Sequence, residues 1–221
     1  MIKFYYFYTP DYEFWNNHLS NTLSGVFDVH PLKQDHIKLS NVSHHFLNIT
    51  LKIQLVIDCI KKNMNNYILF TDATIFINKN NVILLEDFIQ KKIETNKDMF
   101  FVYLAQDPIN IGVILLKCDE KVLTFWDTVL QRMNDTMQQG CDVWDQGVVN
   151  DLLIGQKYPL DYDFFDSDKV WSGGIMPKEN CNNFFIYKTT VDPKSNRHLV
   201  RLTYLRDLGL ITEEEYNFWK N

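Results

Sequence analysis

The chain has 221 residues, a length that suits one large α/β domain better than two small ones. Hydrophobic residues make up 46% of it, with 16 Phe, 11 Tyr and 5 Trp, enough to fill a sizeable core and to exclude global disorder. The formal charge is −6 with Lys and Arg scattered, so no basic run offers a nucleic-acid polymer the patch it requires.

Residues 2–8 are β-branched and aromatic and stop at Thr9-Pro10, which predicts a strand and then a turn. Asp11 is placed to cap a helix reaching Leu23, and residues 26–31 read as a second strand. Between residues 43 and 62, Ile49, Ile53, Val56 and Ile60 recur at helical spacing and predict one buried stripe. The apolar run 67–70 reads as a buried strand ending at Thr71-Asp72. Asn80 or Asn81 is expected to cap a helix in which Val82, Leu85, Ile89 and Ile93 share a face.

Two further strands are expected at 99–104 and 109–116. Asp119 caps the next helix, with Val122, Trp126, Val129 and Met133 inward, and a shorter helix follows Trp144 to Leu153. The last third is less regular: an extended stretch at 158–165, a turn at Gly173-Gly174, and a strand at 184–188. Thr212 and Glu215 then form a capping box. Strands alternating with helices predict a single α/β domain whose mostly parallel central sheet is covered on both faces.

Cys59, Cys118, Cys141 and Cys181 form no CxxC pair, which argues against a zinc site and a disulfide framework and predicts reduced thiols. No secretory signal and no apolar run of membrane-span length is present, so a cytoplasmic protein without a transmembrane segment is expected. The sequons at Asn41, Asn48 and Asn134 are then expected to carry no glycan. His44-His45 lacks the spacing of a zinc protease, and the aspartates at 161, 163, 166 and 168 lack the Gly and distal Glu of a calcium loop.

Three segments carry possible chemistry. In YILFTDATIFI, residues 67–77, a buried strand delivers Asp72 at its carboxyl end, where open α/β sheets place ligands; a turn-capping Asp is the bland alternative. In PINIGVILLK, residues 108–117, Gly112 admits a close approach by another backbone or a ligand, while Asn110-x-Gly112 by itself reads more readily as a structural turn than as a site. In WDQGVVNDLL, residues 144–153, Asp145 and Gln146 open a helix; Asp145 is either its N-cap or one of a polar pair facing the Asp72 cleft. Lys52, in the helix before the Asp72 strand, is either solvent-facing or a phosphate ligand.

Taken in order, these segments resemble the nucleotide-diphospho-sugar transferases, and more broadly the retaining GT-A glycosyltransferases of the glycogenin and bacterial galactosyltransferase kind. The resemblance covers about residues 1–155. It implies a single Rossmann-like GT-A domain, with a nucleotide-binding part at 1–107 and a sugar and acceptor part at 108–221. The implied reaction moves a sugar from a UDP- or GDP-sugar to an acceptor hydroxyl on a saccharide or protein, with retention.

The resemblance also assigns residues. Tyr8 and Thr9 would hold the nucleoside; Lys52, Asn110 and Gly112 would line the donor; Asp145 would orient sugar hydroxyls and Gln146 would stabilise oxocarbenium charge. Asp72 stands at the first position of the family's DxD motif, which binds Mn²⁺ or Mg²⁺, and Thr74 stands where the second carboxylate is expected. The family's C-terminal metal-binding His has Tyr187 and Lys188 near its place, so Lys188 or Lys194 is expected to bring positive charge to the diphosphate. Two alternatives remain. One is a catalytically weak sugar-nucleotide binder of the same fold. The other is a haloacid-dehalogenase-like phosphohydrolase, whose D-x-D-x-T motif loosely matches ILFTDATIF.

Overall fold

The computed structural model describes residues 1–35, 44–104, 108–141, 143–155, 157–173, 183–189 and 196–220. Gly174, Cys181, Lys194 and the sequon at Asn41 lie outside them.

The chain opens with β1 (Lys3–Tyr8), followed by α1 (Glu13–Leu23), β2 (Asp28–Lys33), α2 (His44–Lys62), β3 (Tyr67–Asp72) and β4 (Phe76–Ile77). It continues through α3 (Val82–Glu94), β5 (Met99–Tyr103), β6 (Ile109–Lys117), α4 (Glu120–Gln138) and α5 (Asp145–Leu153). The last third holds β7 (Tyr162–Phe164), β8 (Val170–Gly173), β9 (Ile186–Thr189), α6 (Arg197–Asp207) and α7 (Glu213–Trp219). The central sheet has 6 strands in the order β2-β1-β3-β6-β5-β7, and a second sheet has 3 in the order β4-β9-β8.

Only β6 runs against the other strands of the central sheet, pairing antiparallel with β3 and with β5. Its direction follows from chain length. Residues 104–108 separate β5 from β6, too few for a parallel crossover, so the two strands close as antiparallel neighbours. The remaining pairings, β1 with β2, β1 with β3 and β5 with β7, are parallel.

Two apolar layers hold the sheet, and the period-2 alternation of the strands assigns each side chain to one of them. Phe4, Tyr6 and Tyr8 of β1 share a core with Leu69, Phe100, Val102, Val113 and Leu115, joined by Trp15 and Leu19 of α1 and Leu85 and Ile89 of α3. Tyr5, Ile68, Phe70, Met99, Phe101, Ile114 and Leu116 face the opposite core with α2, α4 and α5. Ile49, Ile53, Val56 and Ile60 form the buried stripe on α2 that their spacing predicts, and Val122, Trp126, Val129 and Met133 do the same on α4. Each such side chain contributes about 1.5–3 kcal/mol on burial, set against the chain entropy lost on ordering.

Local signals are met unevenly. Asp119 caps α4, accepting from Val122 N at 2.9 Å, and Thr212 and Glu215 form both bonds of the capping box on α7. Asp11 does not begin α1. Pro10 starts a short 3-10 turn instead, because its fixed φ suits a first helical turn, and Tyr12 takes the N-cap position without a side-chain capping bond. Asn81 also lacks a capping bond; Asn78 makes the local turn by accepting from Asn80 N at 3.1 Å. Cys59, Cys118 and Cys141 are free thiols, the first two pushed up to about 12 by burial. No helix among the described residues is long and apolar enough to cross a membrane.

Candidate functional site

The carboxyl ends of β1 and β3 meet the start of β6 along one edge of the sheet. The β1–β3 register pairs Phe7 with Asp72, so Tyr8 and Thr9 follow at the same level. The β3–β6 register pairs Thr71 with Val113, which sets Gly112 beside Asp72. Both Tyr8 and Thr9 are buried, Tyr8 within the apolar core and Thr9 with its carbonyl accepting from Tyr12 N at 2.8 Å.

Lys52 joins the segments that the sequence keeps apart. It reaches from α2 into the edge, 6% exposed, where it meets two carboxylates and a backbone carbonyl. Its Nζ lies 2.8 Å from Asp72 Oδ1 and 3.7 Å from Asp145 Oδ2, and it donates to the carbonyl of Ile111 at 3.0 Å. Burial disfavours the ammonium, but Asp72 and Asp145 together outweigh it and raise its pKa. Burial would likewise raise the Asp72 carboxyl; Lys188 and Lys52 overcome it and hold that carboxyl well below its ordinary range. Lys52 thus organises two carboxylates from β3 and α5 into one site.

Helix α5 is fixed to β6 by amides. Asn150 Nδ2 donates to the carbonyl of Ile109 at 2.8 Å while its Oδ1 accepts from Ile109 N at 3.1 Å, satisfying both polar groups of that residue. Asn110, the second residue of β6, accepts from Gly112 N at 2.9 Å and donates to Gln146 Oε1 at 3.0 Å. An amide is needed here because Asn110 acts as acceptor and donor at once. Trp144, not Asp145, occupies the N-cap of α5, so Asp145 is the first helical residue and turns its carboxylate toward Lys52. Asp145 is thus not the N-cap residue, although its Oδ1 accepts from Gln146 N at 2.9 Å in the first turn.

The second sheet supplies the other cation. Lys188 of β9 places Nζ 2.6 Å from Asp72 Oδ2, and a Cβ added at Gly112 would lie 1.7 Å from that Nζ. The close approach that Gly112 permits is made, among the described residues, by the Lys188 side chain.

No protein-family model and no curated protein sequence matches this chain. Solved structures do. The fold is similar to a glycosyltransferase involved in the glycosylation of the major capsid of PBCV-1, with a TM-score of 0.65 and 14% identity over 95% of this chain and 99% of that one. The chain has a GT-A-like glycosyltransferase fold. It is also similar to the glycosyltransferase GlyE of Streptococcus pneumoniae TIGR4, at a TM-score of 0.55 and 12% identity, over 99% of this chain and 63% of GlyE.

Within this glycosyltransferase fold, the described residues do not assemble the donor set expected for Mn²⁺ or Mg²⁺. Both oxygens of Asp72 face ammonium groups, Thr74 offers only a neutral hydroxyl, and no three His, Cys, Asp or Glu side chains gather among the described residues. Arg201 is the residue that sequence reasoning missed. It lies on α6, 8% exposed, with its Nε and Nη1 lacking hydrogen-bond partners among the described residues. The available signal was an Arg set between Val200 and Leu202 in a helical stretch, four residues before Leu205.

Proposed function

We propose that the protein transfers a glycosyl unit from a UDP- or GDP-sugar to an acceptor hydroxyl, with retention at the anomeric carbon. The observation that carries this reading is the joining of Asp72, Asn110, Asp145 and Gln146, from three segments, at the strand ends of a glycosyltransferase fold. Ligands of open α/β sheets bind at that edge. A phosphohydrolase would need a general acid at the position of Thr74, and that residue cannot supply one.

The chemistry asks for an oriented sugar and for stabilisation of the positive charge that develops on its anomeric carbon. Asp145, held by Lys52, is suited to accept from sugar hydroxyls. Gln146 offers an amide oxygen whose position Asn110 fixes, and a preorganised dipole of this kind acts most strongly when the charge is greatest. The nucleoside would lie at the end of β1, beside Tyr8 and Thr9, whose buried side chains shape that edge. Because its residues come from β1, β3, β6 and α5, the site draws on both the 1–107 and 108–221 parts of the chain.

UDP or GDP should raise the melting temperature of the purified chain, and the matching nucleoside should raise it less, because the bound diphosphate stabilises the folded state by mass action. Equal shifts for nucleoside and diphosphate, or none with either base, would remove the support for diphosphate recognition.

A further inference from the structure

Lys188 and Lys52 both contact Asp72, yet they stand in different situations. Lys52 donates to Asp72 and to the Ile111 carbonyl and pairs its charge with Asp145. Asp72 accepts one of the three donors of Lys188, and that side chain is 16% exposed against 7% for Lys52. Lys188 is therefore the more accessible of the two cations.

Lys52 and Lys188 balance Asp72 and Asp145, charge for charge. Burial first, and then the charges of Lys52 and of Arg201 on α6, lower the pKa of Lys188 despite the pull of Asp72. Arg201 is buried too and lowered by that burial against the pull of Tyr12, which bonds its side chain, while its Nε and Nη1 lack partners among the described residues. An ammonium with one of its three donors on Asp72, and a buried guanidinium with two unpartnered nitrogens, call for an anion.

Resting on the sugar-nucleotide reading above, we propose that Lys188, backed by Arg201, binds the donor's diphosphate and supplies the positive charge that a divalent cation would otherwise bring. As transfer proceeds, the bond from C1 to the β-phosphate oxygen breaks and its electron pair stays on that oxygen. The acceptor oxygen bonds to C1, and its proton leaves to the departing diphosphate. Lys188 donates to the oxygen on which charge accumulates, and Asp72 holds the ammonium in place. Gly112 belongs to the device, since any side chain there would fill the space that Nζ occupies.

Isothermal titration of the full chain with UDP and GDP, first in excess EDTA and then with Mn²⁺, tests this. The affinity should be the same in both conditions to within about threefold. Lys188→Met should weaken diphosphate binding roughly ten- to a hundredfold, the loss of one charge-assisted contact. The same variant frees Asp72 Oδ2, so Mn²⁺ should recover part of its loss. Gly112→Ala retains the lysine but fills its place, and should show a comparable loss in a chain that still folds, since only the far end of a flexible side chain is displaced. Wild-type binding that Mn²⁺ tightens tenfold or more, or unchanged affinity in both variants, would overturn the proposal and leave the donor reading standing. Failure of UDP and GDP to bind under either condition would overturn both.

Discussion

Replacing Lys52 by Met is expected to lower the melting temperature by roughly 6–12 °C, for a loss of about 3 kcal/mol at about 2–4 °C per kcal/mol in a domain of this size. Methionine keeps most of the length and the apolar stem, so the missing ammonium dominates. Asp145 then has no cation at its Oδ2 among the described residues, and the Ile111 carbonyl loses its donor. The loss sits at the lower end for a broken buried ion pair because Asp72 keeps Lys188.

The pH dependence follows from the shifts. Asp72 is held well below its ordinary 3.8, so its contribution is present above that value and is lost as pH falls through the folded-state pKa. Lys52 is held above its ordinary 10.5, so its contribution is present below that value and is lost as pH rises through its folded-state pKa. Thermal melts of wild type and variant should therefore differ fully from about pH 4 to about pH 10, and the gap should narrow toward stronger acid. A neutral-pH melt within about 2 °C of wild type would mean that Lys52 does not hold the two aspartates together.

Gln146→Ala should reduce turnover by one to three orders of magnitude, roughly the loss of one preorganised electrostatic contact, with little change in donor affinity. The asymmetry arises because an amide dipole gains most when the anomeric carbon becomes electron-poor, and that happens only in the transition state. Asp145→Ala should reduce both quantities, since a carboxylate holding sugar hydroxyls acts on the bound donor as well. Asp145→Ala also removes the acceptor of Gln146 N in the first turn of α5, so a thermal melt of this variant is needed beside its kinetics. Single-turnover rates and donor affinities of the two variants separate the roles. Near-normal turnover in both would move the chemistry away from α5.

Much of this arrangement was legible in local sequence. The apolar run ending at Asp72, the Asn110-x-Gly112 strand and the Asp145-Gln146 helix each carry a periodicity or a polar break that a few neighbouring residues suffice to reveal. Helix α4 was equally clear, because Asp119 and its inward stripe agree. The antiparallel direction of β6 was readable in principle from the short connection to β5. What local pattern could not supply was contact across the chain. Lys188 meets Asp72 across 116 positions, through a second sheet whose strands β4, β8 and β9 are only two to four residues long. Gly112 announced a close approach without naming its occupant. Arg201 was hidden because α6 buries only Arg201, Leu202 and Leu205, too thin a stripe to mark a helix face.

The central claim is that this edge of the sheet performs glycosyl transfer and does not merely hold a nucleotide. Release of nucleoside diphosphate from a panel of UDP- and GDP-sugars, with and without saccharide acceptors, measures it most directly. Release is expected from at least one donor, accelerated by an acceptor hydroxyl and slowed at least tenfold by Gln146→Ala. Tight binding of UDP or GDP with no release from any donor would contradict it and make the protein a sugar-nucleotide binder.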